Sequence, residues 1–419
     1  AGFEKVTETR PDGTKKVSYF HQGNTDNSGV YESQDHFSKI GKPFRTDILD
    51  ISGSIVTRST TKWDKTLLAS ATSTRYFIYP TQEITEDYDG DGDHKDRAHS
   101  YLFNATTTGD LIEDKNWGEV TASDPLTFSD TSDDLITTTF TYAASSTSAM
   151  RLLSSENMRD ATSTVITERK ITYDNVSFGQ TLQGNPTKEE YLITSGSYAS
   201  TTKTYNSYGL LLSERDPNAN QSTYTYDSIN LHVATSTNAL SQSTDFYYDY
   251  TNGKPKKIVD PNGEIRETVY DGLDRVIAEK APEPIAGAQI TTKTIGYTDS
   301  QSQFAIGQTD YLSGSLSRDS WTYLDGFGRT IQTRSRAEEQ GSPTYVVNDV
   351  IYDLRGRTQK ASLPYFGTGA STTPPTTTAA LFTSYGYDAL NRATSTTDAL
   401  GITTISYDQW KEAIIDPKS

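Results

Sequence analysis

Along most of its length the chain alternates Thr or Ser with Tyr, Val and Ile, the two-residue period of a pleated strand that turns one face inward. Runs such as Thr106-Thr107-Thr108, Thr137-Thr138-Thr139 and Ser145-Ser146-Thr147-Ser148 add β-branched and hydroxyl side chains, which suit strands and disfavour helices. No stretch carries a helical apolar period of convincing length. The pattern predicts an all-β protein built of hairpins. In residues 1–204 alternation alone pairs 73–80 with 99–104 and 136–142 with 165–173.

A second, longer period lies over the first. Tyr205, Tyr226, Tyr248 and Tyr270 follow one another at 21, 22 and 22 residues, and Asp227, Asp249 and Asp271 directly follow the last three. About midway between them come further turn signals, Asp216-Pro217, Asn238-Ala239 and Asp260-Pro261-Asn262-Gly263. The unit therefore has two turns and two strands, and units of this size form stacked arrays rather than independent domains. Later copies at Tyr323, Tyr352, Tyr387 and Tyr407 are spaced 29, 35 and 20 residues apart, with a Pro/Gly/Ser/Thr-rich insertion at 362–378. Loop tips tolerate such insertions best.

After the tyrosine an Asp is followed four residues later by Arg, in Asp271/Arg275, Asp325/Arg329, Asp353/Arg357 and Asp388/Arg392. Gly-Leu-Asp, Gly-Phe-Gly, Leu-Arg-Gly and Ala-Leu-Asn lie between them, each with a residue at ease in a turn or at positive φ. Such spacing sets Asp at the entry and Arg at the exit of one short loop, close enough to pair, with Asp free to accept backbone N–H groups. In the Asp-Pro-Asn-Gly turn, Pro fixes φ at the second position and Gly supplies left-handed geometry.

Composition modifies this picture in three ways. Hydrophobic residues are 33% and mean hydropathy is -0.64, values near those of disordered chains, but 27 Tyr, 14 Phe and 4 Trp supply large surfaces for burial. A folded protein with an aromatic, partly polar core follows. The net charge of -17 repels phosphate backbones, so nucleic acid is not an expected partner. Without cysteine there is no disulfide, thiolate nucleophile or Cys-based zinc site. There is no run of 18 apolar residues, hence no expected membrane span, and the start Ala1-Gly2-Phe3 and the stop at Lys418-Ser419 in mid-pattern lead us to expect a fragment of a larger chain.

The sharpest local motif is Asp87-Tyr88-Asp89-Gly90-Asp91-Gly92-Asp93. Asp87, Asp89 and Asp91 with Gly92 match positions 1, 3, 5 and 6 of an EF-hand-like loop, but Lys95 and Ala98 stand at positions 9 and 12. Asp87, Asp89, Asp91 and Asp93 are therefore the candidate calcium ligands, against the alternative of a water-exposed acidic turn. His94 and His99 flank it and read as surface residues. No phosphate loop, nucleophile elbow or His-containing metal motif accompanies these residues, so neither a catalytic site nor any cofactor other than calcium is expected.

The runs Tyr270-Asp271-Gly272-Leu273-Asp274-Arg275, Tyr323 to Arg329 and Tyr387 to Arg392, with the intervening Asp-Pro-Asn-Gly turn, resemble the RHS/YD repeats. That family includes bacterial polymorphic toxins, the shell subunits of insecticidal toxin complexes and animal teneurins. The opening, Thr9-Arg10-Pro11-Asp12-Gly13 through Tyr19-Phe20-His21-Gln22-Gly23, is similar to the segment upstream of the repeats in the toxin-complex branch. The likeness is clear over 205–408 and looser over 1–204. It implies long β-hairpins spiralling into a hollow shell around a C-terminal effector, with a degenerate hairpin region at 1–204 and tandem repeats at 205–419. The repeat positions are Tyr226, Asp227, Tyr248, Asp249, Tyr270, Asp271, Arg275, Asp325, Arg329, Tyr352, Asp353, Arg357, Tyr387, Asp388 and Arg392. If equivalent tyrosines stack, they form ladders across the sheet. The expected role is a non-enzymatic wall in a secreted or bacterial surface protein, its partners being the rest of its parent chain and an enclosed effector. A surface adhesin that binds glycans or a protein is the alternative, and an all-β carbohydrate-active enzyme is a third.

Overall fold

The computed structural model describes the chain apart from residues 1–2, 25–29, 31, 69–74, 89–92, 125, 132, 147, 284–286, 301–302, 314–315, 338–343, 369–380, 409–410 and 417–419. The described residues include 32 strands and a turn of 3-10 helix, Phe37–Lys39. The protein is all-β. Strands pair antiparallel, mostly with the next strand in the chain, and the short segment Gln180–Thr181 runs parallel beside Ala144 and Ser145. No helix among the described residues is long and apolar enough to cross a membrane.

Contacts divide the chain into two compact units. The first holds Ala1–Lys203, Tyr387–Thr394 and Thr404–Ser419. Its strands are long, among them Ile55–Leu67, Tyr76–Tyr88 and Leu111–Asp124. Ile84, Ala98 and Val120 form one buried cluster, on which Trp117, Ala122 and Phe128 pack, and Ala143, Ile171 and Tyr173 form another. A buried row of charge crosses the same sheet, with Asp47 opposite Arg58, Arg58 opposite Glu86, and Glu86 opposite Asp96. Arg45 and Arg58 both donate to Asp47 Oδ1, at 2.9 and 3.0 Å, so the central carboxylate is shared by two guanidinium groups.

Two hairpins expected from alternation are different. Tyr76–Tyr88 does pair with His94–Phe103, but through Gln82–Tyr88 against His94–Ser100, while Tyr76–Pro80 lies against Trp63–Leu67. The segment 136–142 does not meet 165–173: the strand Arg151–Arg159 lies between and pairs with both. Its polar centre, Ser154 to Asn157, and an irregular register between Leu153 and Ser155 remove the alternation by which such a strand is read.

The second unit holds Thr204–Gly386 and Ser395–Thr403. Its first strands are short, from Leu211–Arg215 to Val276–Pro282, because turn-forming residues recur about every eleven residues. Later strands lengthen to Gln289–Ser300 and Gln303–Ser313. A buried cross-strand row runs Ala305, Tyr323, Gln332, Asp349. Beside it, Gly307 faces Trp321, and a Cβ at Gly307 would fall 2.2 Å from the indole ring. Among the described residues 16 buried polar or charged side chains stand beside 14 apolar ones, so hydrogen bonding and ion pairing carry much of the interior.

Candidate functional site

The repeated feature of the chain is a turn that fastens itself to the next tyrosine. At Asp271 the backbone N–H donates to the Arg275 carbonyl and the Asp274 N–H donates back to the Asp271 carbonyl, at 2.9 and 3.0 Å. Asp274 takes left-handed φ of 61°, closing a three-residue loop of the type I turn plus bulge kind. Asp271 Oδ1 accepts the N–H groups of Leu273 and Arg275, both at 2.9 Å, and Oδ2 accepts Arg275 Nε at 2.8 Å. One carboxylate therefore holds both the loop and the arginine. Asp325/Arg329, Asp353/Arg357 and Asp388/Arg392 repeat the arrangement, with Nε to Oδ2 distances of 2.7, 2.7 and 2.6 Å. The backbone N–H of Arg275 is the main cause that holds Asp271 below the ordinary carboxylate pKa, and the guanidinium adds to it.

The mid-repeat turns use the same backbone plan without the arginine. Asp216, Asn238 and Asp260 each accept two N–H groups on Oδ1, and Ala219, Ser241 and Gly263 take φ of 69°, 63° and 83°. Ser241 and Ala219 at positive φ are strained positions that the turn geometry imposes.

From three of the tyrosine-side turns the arginine reaches the next tyrosine. Arg275 lies 4.1 Å over the Tyr297 ring, Arg329 4.5 Å over Tyr352, and Arg392 4.2 Å over Tyr407. The hydroxyl of each ring donates to the residue after that arginine, to the carbonyls of Val276, Thr330 and Ala393 at 3.0, 2.8 and 2.9 Å. Where the cation differs, the place is kept. Lys254 lies 5.3 Å from the Tyr270 centroid, whose hydroxyl donates to Pro255, and the His232 ring stacks on Tyr248 at 4.3 Å and 14°. Tyr226 donates to Leu211 after an Asn206 turn that has no cation. Apart from Tyr226, rings in this series thus stack on a cation or imidazole, instead of on one another as a tyrosine ladder requires. Burial raises the hydroxyl pKa of Tyr226 and Tyr270.

At one copy the tyrosine frame shifts by a residue. Leu324 precedes Asp325, whereas Tyr323 points to the opposite face and is buried at 1% exposure.

The first unit contains two copies that the spacing conceals. Tyr142 donates to the Leu111 carbonyl at 2.9 Å, and Arg151 both pairs with Asp110 at 2.5 Å and lies 5.8 Å from the Tyr142 centroid. The arginine comes from a different strand, so no four-residue spacing announces it. Tyr173-Asp174 is the other copy: Tyr173 donates to Leu153, and Asp174 gathers the N–H groups of Leu182, Gln183, Gly184 and Asn185 and the Thr181 hydroxyl. Burial opposes the charge, and these bonds overcome it, so the carboxyl is held far below its ordinary value. The Tyr-Asp pair was the available signal, and the lack of Arg four residues on obscured it.

Of the acidic loop, Asp89 and Asp91 lie outside the described residues. Asp87 pairs with Arg97 at 2.6 Å and accepts the Thr57 hydroxyl at 3.3 Å, and Asp93 precedes the strand His94–Phe103. His94 is not a free surface residue: its Nδ1 lies 2.5 Å from buried Asp96 Oδ1.

With this geometry in view, comparisons place the fold. The crystal structure of TcdB2-TccC3 matches at a TM-score of 0.74 and 12% identity, over 97% of this chain and 29% of that one. TcdB2-TccC3 without its hypervariable C-terminal region matches at 0.73 and 11%, over 97% and 31%. The Photorhabdus luminescens Tc holotoxin pore carrying TccC3-D651A matches at 0.72 and 11%, over 96% and 30%. The chain shares the antiparallel β-hairpin fold of these toxin-complex structures. The chain spans less than a third of the length of those chains. The family described as "Domain of unknown function (DUF6443)" matches residues 293–409, and no curated protein matches in sequence. At the Asp-Arg turns the Asp is the loop acceptor, and at Arg275, Arg329 and Arg392 the guanidinium bridges to a ring whose hydroxyl is bound to the following residue.

Proposed function

We propose that this chain is a non-enzymatic wall segment of a hollow β-hairpin shell that encloses or presents an effector carried elsewhere in its parent chain, in a secreted or surface-displayed protein. What supports this reading is the join between successive repeats, in which an Asp-paired arginine meets the next tyrosine ring and that ring's hydroxyl donates back beside the turn, together with a fold shared with toxin-complex structures. Such joints make a stiff wall from a chain with little aliphatic core. Cryo-electron microscopy of the intact parent chain tests it: a closed lumen with density inside supports the shell, and an open sheet with nothing enclosed removes it.

A second reading rests on the exposed rings of Tyr247 and Tyr250, which border a shallow hollow of about 480 Å³ with Asp227, Asp245 and Lys256. Exposed aromatic faces beside carboxylates suit sugars, as an adhesin requires. Glycan-array binding abolished by Tyr247→Ala and Tyr250→Ala would favour it.

The acidic loop stays a proposed calcium site on Asp87, Asp89, Asp91 and Asp93. Calorimetric titration to millimolar Ca²⁺ decides it, and absence of heat removes the proposal.

A further inference from the structure

We propose that His21, Glu32 and Asp35 form a divalent metal site, with zinc the best-fitting ion, that fastens the segment after the strand Lys15–Phe20 to the body of the first unit.

His21 Nδ1 lies 3.0 Å from Glu32 Oε1 and 3.1 Å from Asp35 Oδ1, and the three side chains are 1%, 5% and 0% exposed. A ring nitrogen has one in-plane proton or one lone pair, so it serves one partner well. Two buried carboxylate oxygens at matched distances around it are better explained by an ion between the three. Bonds of about 2.0–2.2 Å to nitrogen and oxygen place neighbouring ligand atoms roughly 3 Å apart, and all three candidate atoms lie within 4.8 Å of one another. The donor set has the nitrogen that zinc favours over calcium and two anionic oxygens that neutralise it.

The surroundings hold these ligands in place. Asp35 Oδ2 accepts the N–H groups of Gln22 and Asn24 at 3.2 and 2.9 Å, and Oδ1 accepts that of His36 at 2.7 Å. The His21 ring packs on Phe44 at 5.0 Å, and its backbone exchanges hydrogen bonds with Lys42 and Gly41. Such outer contacts orient ligands and tune affinity. A second acid–histidine group among the described residues, Glu86, His94 and Asp96, is less suited, because Glu86 Oε2 already meets Arg58 at 3.4 Å and the Tyr88 hydroxyl at 3.2 Å. In a chain without cysteine, a metal is the available cross-link.

The test uses the whole chain, stripped with a chelator and reloaded with Zn²⁺ or Co²⁺ alone. We expect one metal per chain by elemental analysis after gel filtration, visible Co²⁺ absorption bands, and slower hydrogen exchange over 15–42 on loading. Glu32→Gln and Asp35→Asn should each weaken binding by about 10-fold or more, and His94→Ala should leave it unchanged. Failure of the folded wild-type chain to take up Zn²⁺ or Co²⁺ at micromolar concentration overturns the proposal. So does binding that survives both carboxamide variants or is lost in His94→Ala. Should a carboxamide variant misfold, the wild-type cobalt spectrum and the exchange over 15–42 decide instead.

Discussion

Arg275 lies 4.1 Å over the ring of Tyr297, and the hydroxyl of that ring donates to the carbonyl of Val276, the residue that follows the arginine. Turn and tyrosine thus hold each other at two points. The guanidinium is oriented by Asp271 on one side and stacked on the ring on the other, so it needs little reordering to make either contact. Because the partner tyrosine belongs to the next repeat, every joint orders its neighbour, as nearest-neighbour coupling in repeat arrays requires.

The anchor should therefore matter more than the acceptor. Tyr270→Ala removes a half-buried ring, its bond to the Pro255 carbonyl and the platform for Lys254, and is expected to cost about 2–3 kcal/mol. Tyr270→Phe keeps the ring and should cost about 1 kcal/mol. Asp271→Ala, at an exposed loop, should lower the urea midpoint by clearly less than Tyr270→Ala. Equal midpoint shifts would show that loop and anchor contribute alike.

Asp174 predicts a response to acid. Its folded pKa lies below the ordinary carboxylate value, so its contribution to stability is complete above about pH 4 and is lost as pH falls toward the folded value. Asp174→Asn keeps the size but loses the charge that five donors address. Urea melts should show wild type well ahead of the variant at pH 7, with the gap narrowing from about pH 4 downward. A constant gap down to pH 2 would mean that the carboxylate is not held in its charged form by those donors.

The repeat was legible because turns of this kind need particular residues. An acceptor at the first position and a residue tolerant of positive φ at the fourth leave a mark in sequence, as at Asp271 and Asp274, and tandem copies amplify it. Joints formed between distant strands leave no such mark. Arg151 serves Asp110 from 41 residues away, and the buried row from Asp47 to Asp96 depends on register among four strands. Tyrosine ladders were the natural expectation from period alone. The cations that replace them follow from the three-residue loop, whose exit places Arg275 or Arg329 beside the strand that carries the next ring.

Gly307 offers a steric test, because its φ lies outside the left-handed region and the three atoms nearest to an added Cβ all belong to the Trp321 ring. Gly307→Ala should destabilise the protein by about 1–3 kcal/mol through overpacking. Adding Trp321→Leu makes room for the methyl group, so the double variant should lose less than the two single costs added together. Additive costs in thermal or urea melts would show that the two positions do not share this space.

Asp47 stands between two guanidinium groups, those of Arg45 and Arg58, with its carboxylate 4% exposed. Asp47→Ala removes the carboxylate shared by two buried guanidinium groups, of which Arg58 keeps its pair with Glu86, and breaking a buried pair in this way costs up to about 3–5 kcal/mol, whereas exposed pairs are worth at most about 1 kcal/mol. Glu279→Ala, which removes the exposed pair with Lys293, is the control. Replacing Asp47 and Arg58 together, by Leu and Met, removes charge in balance and should recover part of the loss, since apolar residues of similar volume can substitute for buried ion pairs. Circular-dichroism melts of the four proteins separate the cases. If Asp47→Ala falls no further than Glu279→Ala, the row is solvated in solution and contributes as a surface network does.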